Sequence, residues 1–248
     1  MLTAIELDRY ERQIRLLGVE GQEKLAGAKV FIAGAGGLGS PISIYLAAAG
    51  VGKIVLVDRD EVELSNLNRQ ILHWEKDVGR KKAFSAREKL SQMNSGIEIE
   101  AYAEEIDEGN ISRLVGDADL IIDAMDNYAI RYLMNCTSQE KGIPFVHGAI
   151  CGLYGQATTV LPGRSACLRC IFPEAPPAVP FPVIGVTPGI IGMIQATEAI
   201  KYITGVGELL AGKLLIWDGM RCQTDILSVD MNPKCRDCGP EGHGSEEH

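Results

Sequence analysis

The feature that most constrains this chain is a glycine-rich turn held between two apolar runs. Lys29 to Ala33 (KVFIA) leads directly into Gly34-Ala-Gly-Gly-Leu-Gly39, and small or apolar residues continue from Ser40 to Ala49 before Gly50. The first run predicts a strand and the second a helix that stops at its glycine. A second apolar run, Lys53 to Val57, ends at Asp58. Strand, turn, helix and strand in this order predict a βαβ unit with parallel strands and a right-handed crossover. Gly34, Gly36 and Gly39 fit G-x-G-x-x-G, which allows a tight turn and lets backbone N–H groups approach phosphates at a helix N-terminus. Asp58 follows Gly39 by 19 residues at a strand end, where a carboxylate can accept hydrogen bonds from ribose hydroxyls. Alone, this pattern predicts an adenine nucleotide and leaves NAD, FAD and ATP open. A turn that merely packs a helix onto a strand would read the same way.

The alternation continues. Lys81 to Met93 reads as a helix, Ile97 to Ala103 as a strand, and Ala118 to Ala124 (ADLIIDA) as a strand buried on both faces. Asn127 to Lys141 is a predicted helix and Ile143 to Ala149 a further strand. Beyond residue 150 the pattern changes: Gln156 to Leu161 and Lys213 to Asp218 read as strands and Ile190 to Ile203 as a helix. Phe172 to Pro182 has five prolines in eleven residues, which demands an irregular connection. The expected fold class is therefore α/β: a Rossmann-like, mostly parallel sheet with flanking helices and C-terminal antiparallel strands. Residues 1–239 read as one domain, with a nucleotide-binding part at about 27–150 and a second part at about 151–239; 240–248 (PEGHGSEEH is the last stretch) reads as a disordered tail.

Charge and hydropathy restrict the partners. A formal charge of −9 opposes a nucleic-acid-gripping surface, though it allows a local basic pocket. No apolar run approaches the roughly 20 residues of a membrane span, and the N-terminus has no signal-like stretch, so a cytoplasmic location is expected.

The residues after Asp58 discriminate between cofactors. DRDEVELSNLNRQ places Asp60, Asn66, Arg69 and Gln70 just past the second strand, and Gly79-Arg-Lys-Lys82 follows. A triphosphate carries about two more negative charges than a dinucleotide, and a departing pyrophosphate needs cations where charge develops. Arg69 offers a bidentate fork and Lys82 a point charge. Taken singly, either would read as a solvated surface cation.

Seven cysteines, an odd number, exclude a complete intramolecular disulfide framework. Four form two CxxC pairs, Cys167/Cys170 and Cys235/Cys238, with 64 residues between the inner members. In a reducing compartment such spacing points to a metal.

RYERQIRL (Arg9 to Leu16), GAGGLGS, DRDEVELSNLNRQ, GRKK and AMDN (Ala124 to Asn127), in this order, resemble the MoeB/ThiF/HesA family, bacterial and archaeal relatives of ubiquitin-activating enzymes. The resemblance runs from about residue 5 to Gly239. It implies ATP as the nucleotide, with Gly34, Gly36, Gly37 and Gly39 in the phosphate turn and Asp58 and Asp60 on the ribose side. Ser65, Asn66, Arg69 and Gln70 would frame the nucleotide, and Arg69 and Lys82 would hold the triphosphate. Asp126 would ligate Mg²⁺ with Asn127 beside it; the plainer reading of Asp126 is a cap on the following helix. Arg12 matches an arginine finger that reaches the partner's site in a homodimer; otherwise it is an exposed cation on an N-terminal helix. The four paired cysteines match a structural zinc site, closed to water by four thiolates.

One departure limits the mechanism. Many relatives carry a cysteine in the loop after the first CxxC, whereas IFPEAPPAVPFPVIG has none, and alignment from the helix GIIGMIQATEAIKYI places Ala178 near that position. Cys136, Cys151 and Cys222 lie elsewhere without an evident base, and His147 reads as a structural histidine at a strand end. The implied reaction is adenylation of the Gly-Gly carboxylate of a small ubiquitin-like sulfur carrier, in molybdopterin, thiamine or a related biosynthesis. A separate sulfur donor, such as a cysteine desulfurase or rhodanese, would act on the adenylate. The competing readings are adenylation of another acyl group or of tRNA, an NAD-dependent oxidoreductase, and a non-catalytic nucleotide-binding scaffold.

Overall fold

The architecture was taken from a computed structural model, which describes residues 1–176 and 182–239. The expectations for Ala178 and for the 240–248 tail lie outside the described residues, as does the middle of the proline-rich connection.

Eight strands form one sheet: β1 (Lys29–Ala33), β2 (Lys53–Val57), β3 (Glu98–Tyr102), β4 (Leu120–Asp123), β5 (Phe145–Cys151), β6 (Tyr154–Val160), β7 (Lys213–Asp218) and β8 (Gln223–Ser228). Their order is β3-β2-β1-β4-β5-β6-β7-β8. The first five pair in parallel and the last three add antiparallel. The α-helices among the described residues are α1 (Ala4–Arg9), α2 (Glu11–Gly27), α3 (Gly39–Ala49), α4 (Lys82–Met93), α5 (Ile111–Val115), α6 (Tyr128–Lys141), α7 (Leu168–Ile171) and α8 (Val186–Thr204).

Burial on both faces explains the unbroken apolar strands. Val30 and Ile32 of β1 join Ile54, Leu56 and Ile122 in a core with residues of α3, α4 and α8, whereas Phe31 and Ala33 join Val55, Val57 and Ile121 against α5 and α6. Register follows the same alternation, with Ile32 opposite both Leu56 and Ile122. From β1 the chain winds outward through β2 and β3, then returns to lay β4 on the other side of β1. That reversal opens a crevice at the carboxyl ends of β1 and β4, where open α/β sheets bind ligands.

Differences from the sequence-based elements have local causes. β4 ends at Asp123, one residue early, because the Asp123 carboxylate accepts the Met125 N–H at 2.9 Å and turns the chain. β6 starts at Tyr154, two residues early, because Gly152 (φ 60°) and Leu153 make a two-residue hairpin from β5. His147 is the third residue of seven in β5 and not its end. The N-terminal helical segment bends at Gly18, whose φ is 71°.

Candidate active site

The glycine turn is shaped by its neighbours. Gly34 has φ 100°, and a Cβ there would come within 2.6 Å of the Ala124 carbonyl oxygen. A Cβ at Gly39 would run into the Gly34 carbonyl, so the third glycine of the motif is required by the packing of α3 on the turn. Ala35, inside the turn, is held from both sides: its N–H donates to Asp58 Oδ2 (2.8 Å), and its carbonyl accepts from His73 Nε2 (2.9 Å). The proton must sit on Nε2, which leaves Nδ1 to accept from the Ser85 hydroxyl at 3.0 Å. Burial pushes the His73 imidazole below its ordinary range, favouring this neutral ring. Burial likewise pushes the Asp58 carboxyl upward, against the opposing pull of the Ala35 N–H and the Lys82 charge. Asp58 Oδ1 also accepts the Asp60 N–H at 2.9 Å, so this carboxylate braces the turn as well as facing the crevice.

The crevice is a cleft of about 640 Å³, within the ordinary range for small-molecule sites. Gly34, Gly36 and Gly37 line it beside Asp58, Asp60, Arg69, Gln70 and Lys82, Asp126 and Asn127 line it from the β4–α6 connection, and Arg131 lines it from α6. Lys82 opens α4, is 5% exposed, and reaches Asp60 Oδ2 at 3.0 Å. The Arg69 guanidinium donates to the Ser65 carbonyl (2.9 Å) and Asn68 Oδ1 (3.1 Å), which anchors it to the Leu64–Asn66 helical turn. Ser65 and Asn66 do not line the cleft; Asn66 closes its own turn by accepting the Glu63 N–H at 3.2 Å. Gln70 is buried, and its Oε1 has no hydrogen-bond partner among the described residues. A buried orphan acceptor on a cleft wall fits a site built to meet a polar ligand.

Asp126 is exposed at the cleft, and the neighbouring cation Arg131 is committed to Asp123 instead. The helix cap that Asp126 could have supplied is made by Asn127, whose Oδ1 accepts the Ile130 N–H at 3.0 Å. Behind this turn lies a polar group that sequence reasoning missed. Asp123 and His147 are completely buried and Arg131 nearly so; Asp123 Oδ2 meets His147 Nδ1 at 2.6 Å and Arg131 Nε at 3.2 Å. The available signal was an acidic residue ending one apolar strand and a histidine inside the next. Arg12 stands apart: its side chain is 91% exposed, its Nε lies 3.6 Å from Glu11, and it does not line the cleft of its own chain.

Away from the cleft, the four paired cysteines converge. Their sulfurs all lie within 4.8 Å of one another, with Cys167–Cys235 at 3.6 Å, Cys170–Cys238 at 3.4 Å and Cys167–Cys170 at 3.9 Å. Four sulfurs about 2.3 Å from a tetrahedral ion would be about 3.8 Å apart, so this set could hold a metal ion. Supporting contacts surround it: the Asn232 N–H points at Cys170 Sγ (3.3 Å), and Asp237 bridges Asn135 (2.8 Å) and Arg169 (3.2 Å). Of the remaining cysteines, Cys136 is partly buried with its thiol pushed up to about 11 by burial and Asp237, and Cys151 and Cys222 are exposed.

Residues 10–238 match the model of the ThiF family. The chain belongs to that family. It is 44% identical over 254 residues to the SAMP-activating enzyme E1 of Haloferax volcanii, covering 99% of this chain and 94% of that one. It is 42% identical over 252 residues to the sulfur carrier protein adenylyltransferase of Thermus thermophilus, covering 96% and 93%. The E. coli MccB structure with MccA-N7isoASN shares the fold, with a TM-score of 0.87 at 24% identity over 94% of this chain and 74% of that chain. The cleft thus sits in a ThiF-family domain, and no helix among the described residues is long and apolar enough to cross a membrane.

Proposed function

We propose that this chain is an ATP-dependent adenylyltransferase that activates the C-terminal carboxylate of a small ubiquitin-like sulfur carrier ending in Gly-Gly. The observation that carries this reading is the meeting, in one cleft beside the glycine turn, of two cations, Arg69 and Lys82, with the free carboxylate of Asp126. A dinucleotide site has no need of that combination; a triphosphate with its counter-ion does.

In this reading the turn at Gly34, Gly36 and Gly37 receives the phosphates through backbone N–H groups. Asp58 and Asp60 face the ribose, Ser65 and Asn66 set the Arg69 anchor, and Gln70 and Asn127 complete the wall. Asp126 would hold Mg²⁺, which when bound neutralises phosphate charge. The carrier carboxylate is already ionised at pH 7 and needs no base. Its oxygen bonds to the α-phosphorus, the bond to the β-phosphate bridging oxygen breaks, and pyrophosphate leaves with the electron pair. Arg69 and Lys82 stabilise that growing charge, joined by Arg12 from the second chain of a homodimer. The acyl-adenylate then passes to a separate sulfur donor such as a cysteine desulfurase or rhodanese, because the 172–182 segment offers no cysteine. Zn²⁺ at Cys167, Cys170, Cys235 and Cys238 would serve the fold, since four thiolates leave no position for a reacting water. Residues 1–239 act as one cytoplasmic adenylating unit, the nucleotide held by about 27–150 and the carrier by about 151–239.

The test is ATP–pyrophosphate exchange with candidate carriers. Carrier-dependent exchange is expected, lost in Asp126→Ala and in Arg69→Ala with zinc content unchanged. Exchange retained in both variants would remove the site assignment, and none with any Gly-Gly carrier would remove the carrier.

A further inference from the structure

We infer that Arg131 and Asp123 form a buried clamp that sets where Asp126 presents its carboxylate, which makes Arg131 a positioning residue for the reaction proposed above, on which this inference rests.

Met125 immediately precedes Asp126, and both of its backbone groups are tied down. Its N–H donates to Asp123 Oδ1 at 2.9 Å, and its carbonyl accepts from Arg131 Nη2 at 2.6 Å. The peptide planes on the two sides of Met125 are therefore fixed, and the second of them carries the Asp126 nitrogen. The clamp is itself enclosed. Asp123 is completely buried, so its charge depends on the groups around it: a hydrogen bond with His147 Nδ1 at 2.6 Å and an ion pair with the Arg131 guanidinium, whose Nε lies 3.2 Å away without donating a hydrogen bond. The Asp123 carbonyl accepts from Gln195 Nε2 of α8 at 2.7 Å. Arg131 stacks over Tyr128, with 4.9 Å from guanidinium carbon to ring centroid.

The shape of the cation matters here. Arg131 faces two oxygens at once, pairing its charge with the Asp123 carboxylate while its Nη2 donates to the Met125 carbonyl, and a planar guanidinium holds that geometry more rigidly than a rotatable ammonium on a flexible stem. A cation needed only to neutralise Asp123 would not have to reach Met125. The exposed carboxylate at the cleft has no ion-pair partner of its own among the described residues, so backbone control is what limits its range. Displacing a reacting group by about 1 Å can cost about a hundredfold, which gives such control functional weight.

The experiment uses the full chain with ATP as the probe, titrated calorimetrically at increasing Mg²⁺ and again in EDTA. Arg131→Lys is expected to raise the Mg²⁺ concentration for half-maximal ATP binding about tenfold, while metal-free ATP affinity stays within about twofold. Asp126→Asn is the reference and should abolish the Mg²⁺ response. A merely structural Arg131 would weaken binding equally with and without metal, or leave the Mg²⁺ midpoint unmoved; either result overturns the clamp. If the wild type binds no ATP, or if Asp126→Asn leaves the Mg²⁺ response intact, the adenylation reading falls and takes the clamp with it. If Arg131→Lys does not fold, amide exchange in the wild type decides. Met125 N–H must then exchange as slowly as the β4 amides, and exchange at the rate of an exposed loop amide overturns the inference.

Discussion

His73 connects the back of the glycine turn to α4, and its protonation state follows from what it touches. A neutral ring satisfies both the Ala35 carbonyl and the Ser85 hydroxyl, whereas a second ring proton would face Ser85 with Lys82 and Lys89 nearby. Its folded pKa therefore lies below the unfolded value of about 6.5, and the same holds for His147, where burial outweighs the pull of Asp123. Below about pH 6.5 the unfolded chain takes up protons that the folded chain refuses. Stability is thus full above that pH and lost as pH falls, by up to about 1.4 kcal/mol per pH unit for each such histidine. Replacing His73 by Gln should leave a shallower slope, so that the difference in urea-unfolding stability between pH 6.5 and pH 5.5 shrinks, by at most about 1 kcal/mol, relative to the wild type. Equal slopes would mean that His73 titrates freely in the fold. At this scale the sequence nominated Arg69, Lys82 and Asp58 through the motifs that carry them, and all three line the cleft. Gln70 was nominated with them, but Arg131 and His73 were not, because their contacts come from what the fold places beside them. Gly39 matched a nucleotide motif, yet its environment makes it a packing glycine.

Elements were legible wherever burial alone dictates residue choice. β1, β2 and β7 occupy the predicted limits because their apolar runs fill the sheet interior, whereas β4 and β6 differ by the side-chain and hairpin turns that end or start them. α5 was missed because five residues carry too little periodicity to separate from a loop. The paired cysteines were the clearest element-level signal, since each CxxC turn needs its partner to close. Cys167 precedes α7, and Cys235 lies 68 residues later, beyond the edge strand β8. Closing a loop of that length removes about 4 kcal/mol of unfolded-chain entropy in the chain-entropy model. The Cys235→Ala variant should therefore lose the proposed zinc and melt roughly 10 °C lower, by elemental analysis and calorimetry on the same samples. A variant that loses the metal without a fall in melting temperature would show that the thiolate site contributes nothing to the fold.

At the scale of the whole molecule, a single chain assembles a cleft but leaves one nominated cation outside it. Arg12 sits on α2 with its side chain almost fully in solvent, and Ile5, Leu16 and Val19 of the same N-terminal helices are exposed apolar residues that a second copy could cover. The resemblance nominated Arg12 as an arginine finger, and the packing of one chain cannot place a side chain whose proposed target lies on another copy. A two-fold dimer makes the consequence countable. If each site takes Asp126 from one chain and Arg12 from the other, Arg12→Ala and Asp126→Ala homodimers are both inactive. A mixed dimer contains one site with both defects and one with neither. Random assembly of equal amounts makes about half of the dimers mixed, so the mixture should recover about a quarter of wild-type exchange activity. Such recovery from two inactive parents requires shared sites, and its absence after verified subunit mixing would place Arg12 outside the reaction. An Arg12→Ala homodimer with full activity would do the same, leaving Arg69 and Lys82 as the cations on which pyrophosphate departure depends.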